Sequence, residues 1–373
     1  MHIIVLPAAG LEATDYRKIK SDSNAPPARC AHTAAVIDNQ IYVYGGRNGL
    51  NGEVLNEDGV VWVFDTISNR WSKLESSGSP SQPDSRSHHA SVATDHPREP
   101  ARRTDDGTMP QQPPDPARGD ILPEPEAATM YGTLIVYGGI GADGSPLNDL
   151  HAFDIASRTW STLQNPPVTS TPAQSPILAM VAQRLYTYTN GQIFFKDLAK
   201  TTFSDKGGDG ELGVTELGPW SPLPGDSLLG KSGPGERTGA AFVPVTTGQG
   251  RHYLLLIGGE IPSSSEGVAP SEQLQDIWVL QLKPEGMTAA SFKDAARMAF
   301  GANTRENHWS EVRYYNPEGV MIQEGQPNRG IGERRGFAVA RGTEVDGGSV
   351  LVWGGQGDDG KIRGDGLLVT IDI

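Results

Sequence analysis

The chain has 373 residues, with 45 acidic against 31 basic side chains and a formal net charge of −14. So acidic a balance argues against a nucleic-acid or anionic-membrane surface. The single Cys30 allows no internal disulfide and fits a reducing compartment, which we expect to be the cytoplasm. No apolar run approaches the ~18 residues of a membrane span, and the opening MHIIVLPAAG has no basic segment ahead of its short apolar run, so no secretory signal is expected. With 46 Gly, 28 Pro and almost no amphipathic helical pattern, an all-β chain with many turns is indicated.

The first ordered pattern runs from Arg29 to Leu74. An apolar run from Thr33 to Ile37 precedes an alternating one, with Ile41 and Val43, that stops at Gly45-Gly46. A third run from Val60 to Phe64 ends at Asp65, and Trp71 opens a short fourth. Runs of this length, rich in Val, Ile, Tyr and Trp and bounded by Gly and Asn, predict four antiparallel strands. One such meander buries too little to stand alone, so copies are required.

The copies follow. Strand-like runs stop at Gly138-Gly139, Asn190-Gly191, Gly258-Gly259 and Gly354-Gly355. The matching third runs read DLHAFD, IFFKD, DIWVLQL and LLVTID, and Trp160, Trp220 and Trp309 open further fourth runs. A leading arginine precedes four of the five Gly-type stops: Arg29, Arg86, Arg237 and Arg334. The Gly pair ending a second strand, followed by a spaced Tyr or Trp, resembles the kelch repeat, in which each copy forms one blade of a β-propeller. The resemblance covers nearly the whole chain and is weakest in the third copy, which has Asn190 for the first Gly and lacks the arginine. It implies a single kelch-type propeller over residues 1–373, with five blades, or six if His2 to Leu6 and a degenerate segment make another. The fourth run of the last copy is missing, and Tyr16-Arg17-Lys18-Ile19 looks like it, so the N-terminal segment is expected to complete that blade and close the ring.

Two insertions interrupt the repeats. Residues 96–128, Pro-rich and charged, fall between the first and second strands of blade 2 and read as a flexible excursion. Residues 284–307 fall between the third and fourth strands of blade 4. Phe292, Ala295, Ala296 and Ala299 recur there at helical spacing.

The arginines begin the innermost strands, so ring symmetry gathers them round one mouth of the central channel. Arg47, Gln192, Glu260 and Gln356, just past the Gly-type stops, open on the same face. A guanidinium ring would attract a carboxylate, phosphate, sulfate or phenolate through bidentate, charge-assisted bonds. The same arginines could instead tie neighbouring blades together, with Glu236 and Glu333 available as partners. His32 and His89, each three positions after its arginine, are candidate proton carriers with near-neutral pKa, and blade packing is the alternative for them and for His88. Most tryptophans fall where blade packs on blade. Tyr44, Tyr137 and Trp353, each just before a Gly pair, could line the channel wall.

Other chemistries find no support. The eight histidines show no H-x-x-x-H, and one cysteine builds no thiolate site. The copper radical oxidases and the plant specifier proteins share this propeller. The first need a Cys–Tyr cross-link and the second an E-x-x-x-D-x-x-x-H iron motif, neither of which this chain matches. There is no nucleophile elbow or phosphate loop. No cofactor is therefore expected.

Two functions remain. One is a cofactor-independent lyase, dehydratase or cyclase, possibly a catalyst of cycloaddition, acting on an anionic or phenolic metabolite. Arg29, Arg86, Arg237 and Arg334 would bind it, with Arg47, Glu260, Gln356, Trp353 and Tyr44 around them and His32 or His89 moving the proton. Stand-alone propellers of this divergent look resemble ones from fungal secondary metabolism. The alternative is a non-catalytic module gripping an acidic peptide on the same face. An enclosed pocket with aromatic walls would favour the enzyme, and a broad, open basic surface the module.

Overall fold

The computed structural model describes residues 2–5, 15–20, 23–78, 80–97, 130–167, 175–189, 191–199, 214–223, 233–246, 250–261, 273–284, 289–299, 304, 306–315, 320–322, 330–332, 334–342, 348–357 and 359–371. Strands β1 (His2–Val5) and β2 (Asp15–Lys18) form a hairpin at the N-terminus. Blade 1 opens with the short β3 (Arg29–Cys30), then β4 (Thr33–Ile37), β5 (Gln40–Tyr44), the short β6 (Arg47–Asn48), β7 (Val61–Asp65) and β8 (Arg70–Leu74). Blade 2 has β9 (Arg86–Ser87), β10 (Ala90–Thr94), β11 (Thr133–Gly141), β12 (Pro146–Asp154) and β13 (Thr159–Leu163). Blade 3 is β14 (Leu178–Val181), β15 (Arg184–Thr189), β16 (Gln192–Ala199) and β17 (Thr215–Pro222). Blade 4 is β18 (Ala241–Thr246), β19 (His252–Glu260), β20 (Gln273–Gln281) and β21 (Trp309–Glu311), with helix α1 (Ala289–Ala299) before the last strand. Blade 5 has β22 (Ala338–Arg341), β23 (Gly348–Trp353) and β24 (Gly366–Ile371). Each blade is an antiparallel meander in sequence order, giving the five-bladed, nearly all-β propeller expected.

Strand alternation explains the cores. In β11, Leu134 and Val136 face blade 1 and pack with Tyr42, Tyr44 and Val63, while Ile135 and Tyr137 face blade 3 and pack with Leu178 and Leu185. In β19, Leu254 and Leu256 join blade 3, and Leu255 and Ile257 join blade 5. A second strand buried on both faces therefore reads as an unbroken apolar run, LIVY or LLLI, and each such side chain contributes about 1.5–3 kcal/mol by leaving water. Trp160, 2% exposed, closes the first interface, its indole N–H donating to the Gly59 carbonyl at 2.9 Å.

Three expectations are adjusted. Tyr16 and its neighbours pair with β1 in a sheet of their own, and no described ladder joins them to β24, so the last blade has three strands in the described ladders. The local partner is the one with the shorter closing loop, which makes the hairpin the cheaper pairing. Next, His2 to Val5 belong to this hairpin and not to a sixth four-stranded blade. Finally, the helix forms where its spacing placed it, but Phe292 on the expected apolar face is 64% exposed. Buried Asp294 anchors α1 instead, by a 2.6 Å ion pair to Arg251. The expected excursion over residues 96–128 lies, beyond Pro97, outside the described residues.

Candidate functional site

At the start of the inner strand in four of the five blades the chain builds the same device. Arg29 donates two 2.7 Å bonds to Glu57 and one of 3.0 Å to the Gly45 carbonyl. Arg86 binds Asp149 at 2.6 and 2.8 Å and the Gly138 carbonyl at 3.2 Å. Arg237 binds Asp276 at 2.7 and 3.1 Å and the Gly258 carbonyl at 3.0 Å. Arg334 repeats the pattern with Asp365 at 3.2 Å and the Gly354 carbonyl at 3.1 Å. Each guanidinium therefore ties its inner strand to the Gly pair and to the chain entering the third strand.

The residue after each arginine pairs with the chain just past the Gly pair. Cys30 pairs with Arg47, Ser87 with Ile140, Thr238 with Glu260, and Arg335 with Gln356. This close approach is why the second position must be Gly. A Cβ on Gly139, at φ +100°, would lie 2.5 Å from the Ser87 carbonyl oxygen. Two residues after each arginine the inner strand turns through left-handed backbone, at Ala31, His88, Gly239 and Gly336. Blades 4 and 5 use glycine for this turn; blades 1 and 2 do not.

The carboxylates were missed by the sequence reading, which looked next to each arginine. Arg237 takes its carboxylate from Asp276 in place of the expected Glu236, and Glu333 lies outside the described residues. The signal was the acid just ahead of the third run, as in DLHAFD and DIWVLQL, where Asp149 and Asp276 read as ordinary strand residues. Burial opposes the ionisation of Asp149, but hydrogen bonds from Arg86 and His151 outweigh it and hold the carboxyl well below its usual range.

Several candidates sit elsewhere than expected. Tyr44 is 4% exposed between blades 1 and 2, against Trp160 and His89, so it forms core and not channel wall; Tyr137, 6% exposed, does the same one blade on. Trp353 alone of the three is open, at 40%. His89 is buried, with its Nε2 2.7 Å from the Thr33 hydroxyl, and burial aided by Arg86, His32 and His88 pushes its pKa down to about 3. Glu260 spends its backbone on Thr238, and the Gln356 side-chain oxygen accepts from Arg335 at 3.0 Å.

What remains accessible is a cluster where blades 1 and 2 meet. His32 and His88 are exposed and Arg47 half-buried. The Ser87 hydroxyl links two of them, 2.9 Å from Arg47 Nε and 3.2 Å from His88 Nδ1. Partial desolvation by the surrounding loops first, then the charge of Arg29, lowers the pKa of His32, and partial desolvation and Arg47 do the same for His88, although both rings keep exposed surface. A cavity of about 460 Å³ opens at the other mouth, among Ile37, Asp38, Asp95, Met180 and Gln183. Among the described residues, no three His, Cys, Asp or Glu side chains gather as metal ligands, and no helix is long and apolar enough to cross a membrane.

The arginine–carboxylate–glycine clamp, repeated in four of five antiparallel meanders, is the pattern of a kelch-type propeller. Two family models match, the KLHDC2/KLHL20/DRC7 Kelch-repeats domain over residues 8–97 and the Kelch motif over residues 124–167. Those two segments are kelch repeats, and together with the five-bladed arrangement they support a kelch-repeat β-propeller family for the chain. Similar curated proteins include the tRNA wybutosine-synthesizing protein 2/3/4 of Oryza sativa subsp. japonica, 39% identical over 93 residues, covering 25% of this chain and 8% of that protein. Acyl-CoA-binding domain-containing protein 4 of Arabidopsis thaliana is 25% identical over 288 residues, 67% of this chain and 42% of its own length. Acyl-CoA-binding domain-containing protein 5 of the same plant is 27% identical over 198 residues, 44% of this chain and 28% of its own length. The chain thus spans less than half of each. Among solved structures, one titled "Structure of YjhT" aligns with 15% identity over 97% of this chain and 86% of that one, with a TM-score of 0.49.

Proposed function

We propose that this propeller binds a compact anionic or phenolic metabolite at the mouth where His32, His88 and Arg47 stand. One observation carries the reading: these three protonatable or charged donors are gathered at the surface, while the four leading arginines beside them are already matched by carboxylates. The arginines hold the loops, and the cluster is left to meet a ligand. Donors fixed in advance by a rigid frame suit a cofactor-independent lyase, dehydratase or cyclase, because orientation and placed hydrogen bonds supply much of such a barrier. His32, exposed to solvent, is the proton carrier of this reading. His89, neutral and buried against Thr33, positions Tyr44 and the strand beside it.

The test is calorimetric titration of the full chain with a panel of small aromatic carboxylates and phenols, repeated on Arg47→Ala and His32→Ala. Saturable binding that weakens about tenfold or more in either variant supports the site, the loss of one charge-assisted hydrogen bond being about 1.5–3 kcal/mol. Binding that ignores both substitutions removes it. Saturable binding of an acidic peptide alone, lost in the same variants, would assign the face to an interaction module.

A further inference from the structure

The inner strands β4 and β10 begin beside the arginine clamps and end at the opposite mouth, where the cavity of about 460 Å³ lies. Three blades build it: Ile37 and Asp38 at the end of β4, Asp95 and His96 just past β10, and Met180 and Gln183 in β14 and the turn after it. Its size suits a small organic molecule. No lysine or arginine is among its lining residues. Asp38 accepts the Tyr131 hydroxyl on Oδ2, one of about four bonds a carboxylate can take. The Asp95 carboxylate lies 3.6 Å from His96 Nε2. Gln183 donates its Nε2 to the Thr94 hydroxyl at 3.2 Å, and its buried Oε1 has no hydrogen-bond partner among the described residues. A buried acceptor without a donor calls for one supplied from outside the chain.

We infer that this mouth binds a small organic cation, its ammonium group held by Asp38 and Asp95 and its apolar body set against Ile37 and Met180. An ammonium carries three donors and no acceptor, the complement of two carboxylates and an amide oxygen. Charge selects the same ligand. A concave wall with two carboxylates and no lysine or arginine focuses a negative potential, in a chain whose net charge is already −14. A bare metal ion fits less well, since among the described residues no three His, Cys, Asp or Glu side chains gather as metal ligands. An ion would also leave most of the cavity and its apolar wall unused, whereas an aromatic or aliphatic amine fills both. The two mouths thus carry opposite signs, Arg47 with His32 and His88 at one and Asp38 with Asp95 at the other. The cation site is separate from the anion site proposed above and does not rest on it.

The test is calorimetric titration of the full chain with phenethylamine, with phenethyl alcohol and with calcium chloride. The amine should bind saturably, and the alcohol, of similar shape without the charge, about tenfold more weakly or worse. Asp38→Asn and Asp95→Asn should each weaken the amine about tenfold. Both variants should keep the thermal midpoint of the unaltered chain, because Asn still accepts from Tyr131 and tolerates the left-handed backbone of Asp38, at φ 48°. Any small aromatic carboxylate that binds at the arginine mouth should bind the two variants as it binds the unaltered chain, so the two sites fail separately. Four results would overturn the inference: no saturable binding of the amine, equal binding of amine and alcohol, an amine affinity untouched by either substitution, or calcium that displaces the amine.

Discussion

Replacing Asp149 with Ala tests what the clamps contribute. Arg86 has no exposed surface, and two of its four acceptors are the oxygens of Asp149. Without that carboxylate the guanidinium keeps the Gly138 and Asp84 carbonyls and remains a buried charge. Removing one partner of a buried pair costs about 3–5 kcal/mol, because the remaining charge is left uncompensated. Asp149 also accepts from His151 at 2.8 Å, which adds to the loss, while its partly exposed carboxylate lets water recover some of it. We therefore expect the low end, about 3 kcal/mol, near a 150-fold change in the folding equilibrium. The equivalent in blade 5 is the control. Asp365 is 57% exposed and makes one 3.2 Å contact to Arg334, so Asp365→Ala should cost no more than about 1 kcal/mol. Urea unfolding followed by circular dichroism reads both. The double variant Arg86→Met with Asp149→Ala should then be more stable than Asp149→Ala alone, since it removes the stranded charge. Equal losses at Asp149 and Asp365, or a double variant less stable than the single, would refute the reasoning.

Three further outcomes follow from the same geometry. His88→Gly removes a Cβ from backbone at φ 55° and should stabilise the fold by up to about 1 kcal/mol in urea, while weakening ligand binding at the proposed cluster. Gly139→Ala, with its Cβ 2.5 Å from the Ser87 oxygen, should destabilise by several-fold more than Gly144→Ala, whose Cβ would have no neighbour within 4 Å and which carries a strain of about 1–2 kcal/mol; thermal unfolding compares them. His89 has a folded pKa of about 3 against an unfolded value near 6.5, so the unfolded chain binds the proton more readily. Its contribution is complete above pH 6.5 and is lost as pH falls from there toward 3. The pH dependence of the urea midpoint should flatten over that window in His89→Gln.

The repeat, the all-β class and the position of every Gly pair were legible in the sequence, because a blade is a local meander. Period-two alternation and turn glycines are written within about forty residues of one another. The helix α1 was legible in its spacing but not in its orientation, since the group that docks it is a carboxylate, Asp294, bound to distant Arg251. The arginines were seen, but their partners lie 28, 63, 39 and 31 residues downstream. No rule of local spacing joins Arg86 to Asp149 across an insertion. Tyr44, Tyr137 and Trp353 share one repeat position and read alike, yet the next blade buries the first two and leaves Trp353 open. Local order along the chain determined the blades. Which charges are cancelled, and which histidine is neutral, depended on what the following blade brings against them, and that was decided by the tertiary structure.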